Sequence, residues 1–93
     1  LLRASHIKPW AKCASDNERL DVFNGLLLAP HLDALFDGGW ISFSDQGGML
    51  VSKQLSAAAR AQLGIIPGWS IQGLKSAHMV YLAHHREHEF RHG

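Results

Sequence analysis

The tightest constraint on this chain is its punctuation between residues 24 and 39. Asn24-Gly25 precedes three consecutive leucines, Pro30 follows two residues after the last of them, and Gly38-Gly39 closes the segment. Asn-Gly is a strong turn signal, so an element begins there. Leu26, Leu27 and Leu28 form a continuous apolar run consistent with a short buried strand. Pro30 suits the first position of a helix, where its missing N–H is no loss. Leu32, Leu35 and Phe36 fall at i, i+3 and i+4 and give that helix a buried stripe. Gly38 or Gly39 supplies the left-handed residue that ends it. A helix this short does not persist alone, so packing on the preceding strands must hold it.

On either side the elements are equally short. Leu1 to Ile7 reads as extended and is stopped by Pro9, which removes a donor from any ladder. Trp10 is expected to fold back as a cap on the core, and the polar, aperiodic stretch from Ala11 to Arg19 reads as a loop. Trp40 to Ser44 and Met49 to Ser52 read as two strands around the turn Asp45-Gln46-Gly47-Gly48. Ser56 caps an Ala-rich helix from Ala57 to Leu63 that Gly64 closes. Pro67-Gly68 marks another turn. The last element is a longer helix from Leu74 to about Phe90, with Leu74, His78, Tyr81, Leu82 and His85 on its inner face and Arg86 beside them. The sum is one α+β domain over residues 1–93, with a β-β-α unit at about 2–39, a second hairpin at about 40–53 and a helical part at about 55–91.

Composition narrows the function classes. At 93 residues the chain holds one small core, and its 46% apolar share argues against disorder. No apolar run reaches membrane-spanning length, so no membrane partner is expected. Cys13 is alone, which excludes an internal disulfide and a Cys-rich zinc knuckle and favours a reduced, cytoplasmic compartment. A net charge of +1 means that any field for a nucleic acid is local. The chain starts inside a strand without a Met, and we expect it to be the C-terminal part of a longer protein.

Four residues carry chemistry: His6, Asn24, Asp33 and Asp37. His6 stands at a strand end, where its side chain can face a cleft, and its ordinary pKa suits it to proton transfer near neutrality. Asp33 and Asp37 lie four apart on a helix and project from one face. Two hard oxygen donors on one face favour Mg²⁺ or Mn²⁺ over zinc. Asp33 alone is equally well explained by the helix dipole, which favours an acid in the first turn. Asp37 in the last turn opposes that dipole, and a cation would offset the cost. Asn24 taken singly is a turn residue; its functional role would be to hold the loop beside His6. Five of the seven histidines fall between His78 and His92. His84 with His88, or His88 with His92, has one-turn spacing for a zinc or nickel ion, against a plainly solvated helix end.

The segments ASHIKPW, NGLLLAP and HLDALFDGG resemble the His-Asn-His (HNH) nuclease family, in the branch found in bacterial restriction-type endonucleases. The resemblance implies a ββα unit around one divalent metal, Mg²⁺ or Mn²⁺, with DNA as partner. It makes His6 the general base, Asn24 the residue that orients it, and Asp33 and Asp37 the metal ligands. Arg3, Lys8 and Lys12 then lie near the base as candidate contacts to flanking phosphates. Two positions depart from the family pattern. The residue before the base, often a metal-binding acid or histidine, is here Ser5, a poor ligand. The third residue of the family name is replaced by Asp33, with His31 two positions away as the second-ranked ligand. The implied activity is phosphodiester hydrolysis; the alternative is an inactive nucleic-acid-binding module of the same fold. A homodimer, or a longer polypeptide carrying the recognition part, is the expected context.

Overall fold

The computed structural model describes residues 2–65 and 68–92. Strand β1 (Arg3–His6) leads through a 3₁₀ turn at Trp10–Lys12 into a short helix α1 (Asp16–Leu20) and a second 3₁₀ turn at Val22–Asn24. Strand β2 (Gly25–Leu28) and helix α2 (Pro30–Asp37) complete the first unit. A hairpin of β3 (Ile41–Phe43) and β4 (Met49–Val51) follows, then α3 (Ala57–Gln62) and a closing helical segment. That segment winds as 3₁₀ at Ser76–His78, as α-helix α4 at Met79–His84, and as one π turn at His85–Glu89.

β1 and β2 pair antiparallel with Ser5 opposite Leu26 and His6 opposite Gly25. The Ile7 amide donates to the Asn24 carbonyl at 3.2 Å, one step beyond the named strands. Side chains alternate across the pleat, so Ser5 and Ile7 are buried while Ala4 and His6 are exposed. α2 lies against the buried face. Leu32, Leu35 and Phe36 join Ile7, Leu28, Ile41, Phe43, Tyr81 and Leu82 in one core. The stripe expected on α2 is therefore what docks it. Gly39, with φ 76°, ends this helix; a Cβ there would strike the Glu89 carbonyl, so only glycine fits the crossing.

β3 and β4 pair as expected, with Ser42 opposite Leu50. Ser56 Oγ accepts from the Ala59 amide at the start of α3. Three expectations differ. The stretch 11–19 is not a plain loop: α1 forms because Ser15 caps it through the Glu18 amide and the Glu18 carboxylate accepts from the Ala14 amide. Trp10 does not cap the core. Its side chain is 54% exposed and stands edge-on to His6 at 5.7 Å between ring centroids, with the Arg19 guanidinium over it. The last helix starts at Ser76 rather than Leu74. Of the turn at Pro67-Gly68, Pro67 lies outside the described residues. No helix among the described residues is long and apolar enough to cross a membrane.

Candidate active site

The strand end that carries His6, the 3₁₀ turn after it and the inner face of α2 enclose a cleft of about 360 Å³. Its walls include Ser5, His6, Trp10, Asp33, Asp37 and Glu89. His6, Asp33 and Asp37, expected from sequence to act together, therefore share one opening. His31 is exposed and does not line it, whereas Asp33 does.

The loop between β1 and β2 fixes the imidazole. Asn24 is 1% exposed and acts as the pin: its Oδ1 accepts from the Lys8 amide at 2.7 Å. Its Nδ2 donates to the carbonyls of Lys8 and Glu18, both at 3.2 Å. Arg19 ties the far side of the loop, donating to the carbonyls of Trp10 and Cys13 and to Asp16. Its own carbonyl faces His6 Nε2 at 3.3 Å. A carbonyl can only accept, so Nε2 carries the proton and the neutral ring presents a lone pair at Nδ1. Arg19 escaped the sequence reading because it acts through its backbone, which no side-chain pattern reveals.

The carboxylates differ in environment. Asp37 is exposed to solvent, yet atoms crowding its carboxyl push its pKa up, and Asp33 adds to the rise. His6 and the Ser5 hydroxyl work in the opposite direction. A rise from crowding and a neighbouring like charge marks a place where a cation would be welcome. Among the described residues no three His, Cys, Asp or Glu side chains converge as a metal cluster. Asp33 and Asp37 line one cleft, and two carboxylates are hard oxygen donors of the kind a divalent cation takes alongside water.

Two of the three candidate phosphate contacts are held in ion pairs. Lys8 Nζ lies 3.0 Å from Glu18 and Lys12 Nζ 2.8 Å from Glu89; Arg3 is exposed on β1. Glu89 also meets His84 at 3.1 Å. Burial raises the Glu89 pKa, but its bonds to Lys12 and His84 outweigh that and hold it below the ordinary carboxylate value. Of the histidine tail, His84 thus faces a carboxylate, and His92 faces the Arg86 carbonyl at 2.7 Å. The rings of His84 and His88 lie 4.8 Å apart.

Behind the cleft, His85 is a strut. Its ring stacks on Phe36 at 3.8 Å, its Nε2 donates to the Phe36 carbonyl at 2.9 Å, and Ser42 Oγ donates to Nδ1 at 2.8 Å. Burial drives the His85 pKa down and so favours the neutral ring, in which Nδ1 accepts from the Ser42 hydroxyl. The Phe36 carbonyl and Glu89 oppose that shift, while His84 and Arg86 reinforce it. A histidine with a depressed folded pKa stabilises fully above its unfolded value and loses that contribution as pH falls toward the folded one. Thermal melts should therefore show Tm falling as pH drops below about 6.5. The His85→Gln variant should lose that slope; a slope unchanged in the variant would assign it elsewhere.

Residues 1–44 match a family model described as HNH endonuclease. The matched segment spans β1, β2, α2 and β3, and so contains the imidazole, the pinning asparagine and both carboxylates. No curated protein matches the chain.

Proposed function

From the HNH endonuclease membership of residues 1–44, we propose that the chain is a restriction-type DNA endonuclease that hydrolyses phosphodiester bonds with His6 as general base. One divalent ion, Mg²⁺ or Mn²⁺, is held by Asp33 and Asp37. The observation that carries this reading is the shared cleft of His6, Asp33 and Asp37.

Each residue has a defined task. His6 takes a proton from the attacking water at Nδ1, because Nε2–H is committed to the Arg19 carbonyl. The imidazolium that forms is stabilised by the same carbonyl and by the nearby Asp37 charge. Asn24 holds the 8–18 loop so that this carbonyl stays in place. Trp10 limits rotation of the ring from its edge. When bound, the ion neutralises charge developing at the phosphate and the departing 3′ oxygen. Lys8 and Lys12 reach flanking phosphates by exchanging Glu18 and Glu89 for them, with Arg3 as a third cation beyond the base.

Asp37→Asn should weaken Mn²⁺ binding at least about tenfold in calorimetry; an unchanged affinity would remove Asp37 from the site. Plasmid nicking that needs Mg²⁺ and stops with a chelator supports the enzyme. DNA binding with no cleavage under any divalent ion would return the inactive binding module instead.

A further inference from the structure

Of the exposed large apolar side chains among the described residues, Trp10 alone lines the cleft of His6, Asp33 and Asp37. It takes no part in the core, so burial does not account for an indole at this place. Its backbone is held firmly. Trp10 opens the 3₁₀ turn after β1, and its carbonyl accepts from the Cys13 amide at 3.2 Å and from Arg19 Nε at 3.3 Å. The Arg19 guanidinium stands 5.6 Å from the ring centroid, and the His6 ring lies near-perpendicular to it at 5.7 Å. More than half of the residue still stays open to solvent. Ordering a side chain is a cost of binding, and this one is ordered beforehand.

The rest of the cleft gives a nucleic acid little electrostatic grip. Three carboxylates, Asp33, Asp37 and Glu89, line it. Lys8 and Lys12 are already paired with carboxylates, and the net charge is only +1. Cations on phosphates supply most non-specific affinity for a duplex, and a cleft short of them needs another contact. A base stacked on an aromatic ring supplies one that depends on neither charge nor sequence.

We propose that Trp10 is a stacking platform for a nucleobase beside the scissile phosphate, and that the substrate is taken with that base unstacked, as a single strand or an unpaired stretch of duplex. The inference rests on the nuclease reading above and names its substrate class. One sugar separates a phosphate from its base. A phosphate placed at His6 therefore brings a base to the neighbourhood of an indole whose centroid lies 5.7 Å from the imidazole. In a paired duplex each base has its faces covered by its neighbours, so an intact helix reaches the platform only by extruding a nucleotide.

Oligo(dA) and an abasic sugar-phosphate oligomer of equal length carry the same charge and differ in their bases alone. Their binding is read by the anisotropy of a terminal dye, at low salt and with Ca²⁺ present to offset the carboxylates; tryptophan emission is recorded in parallel. The wild type should bind oligo(dA) about tenfold more tightly than the abasic oligomer, with its emission quenched. Trp10→Ala should lose that preference. Trp10→Phe should keep most of it but lose the quenching, and Trp69→Phe, altered outside the cleft, should keep both. If Trp10→Ala fails to fold, Trp10→Phe carries the test through the quenching alone. Equal binding of the two oligomers by the wild type, an unchanged preference in Trp10→Ala, or quenching that persists in Trp10→Phe overturns the platform. So does a paired duplex that binds more tightly than oligo(dA) and is indifferent to Trp10→Ala. Mg²⁺-dependent nicking that survives any of these results leaves the nuclease reading standing. An intact stacking preference with no cleavage of oligo(dA) or plasmid in Mg²⁺ overturns the nuclease reading and keeps the platform.

Discussion

Replacing His6 by alanine should slow Mg²⁺-dependent plasmid nicking by about 10²–10⁴-fold, the usual range for loss of a positioned general base. Stability should hardly change. His6 is exposed, and its ring makes one bond, to a backbone carbonyl, and one edge contact, to an exposed tryptophan. The circular dichroism spectrum and Tm of the variant should therefore match the wild type, which separates a chemical defect from a folding one. Full nicking activity in a folded His6→Ala protein would reject the assigned base.

Asn24→Ala should act the other way round, through the fold first. Truncation strands the Lys8 amide and the carbonyls of Lys8 and Glu18 in a part-buried pocket. Each unpaired buried group costs about 1–3 kcal/mol. They share one site, so the losses do not simply add, and a total of about 3 kcal/mol is expected. For a domain this small that is a large part of the whole stability, and Tm should fall by more than about 10 °C. Tyr81 holds the other end of the same loop through its hydroxyl, which donates to Asp21 at 2.7 Å. That bond pushes the tyrosine pKa up to about 12, so the tether persists across the working pH range. It keeps α4 packed while the segment beside His6 loosens. Nicking should then fall even at temperatures where the variant is folded, because the Arg19 carbonyl no longer fixes the ring. A Tm within about 3 °C of the wild type would contradict the pinning role.

What could be read from sequence was local. The apolar spacing of Leu32, Leu35 and Phe36, the glycine at 39, the serine cap at 56 and the turn before Met49 each act within a few residues, and the structure has each of them. α1 was also local, since Ser15-Asp16-Asn17-Glu18 has the S-x-x-E form of a capping box. Its polar composition hid it. The remaining features depend on partners distant in the chain. Trp10 is exposed because His6 and Arg19, not the core, are its neighbours. Lys12 finds its counter-charge 77 positions away at Glu89. His85 gains its neutral, stacked role from Phe36 and Ser42, on two different elements. In the cleft, His6, Asp33 and Asp37 were legible as residue types at set spacing. The exposed indole of Trp10 and the carbonyl of Arg19 were not, since burial and backbone direction are properties of the folded chain.

Crystals grown with Mn²⁺ and measured for anomalous scattering address the central claim most directly. A single strong peak is expected in the cleft, with carboxylate oxygens of both Asp33 and Asp37 within about 2.5 Å and the Nδ1 edge of His6 turned toward it. A peak among the tail histidines with none between the two aspartates, or a His6 ring turned away from a metal held elsewhere, would contradict it.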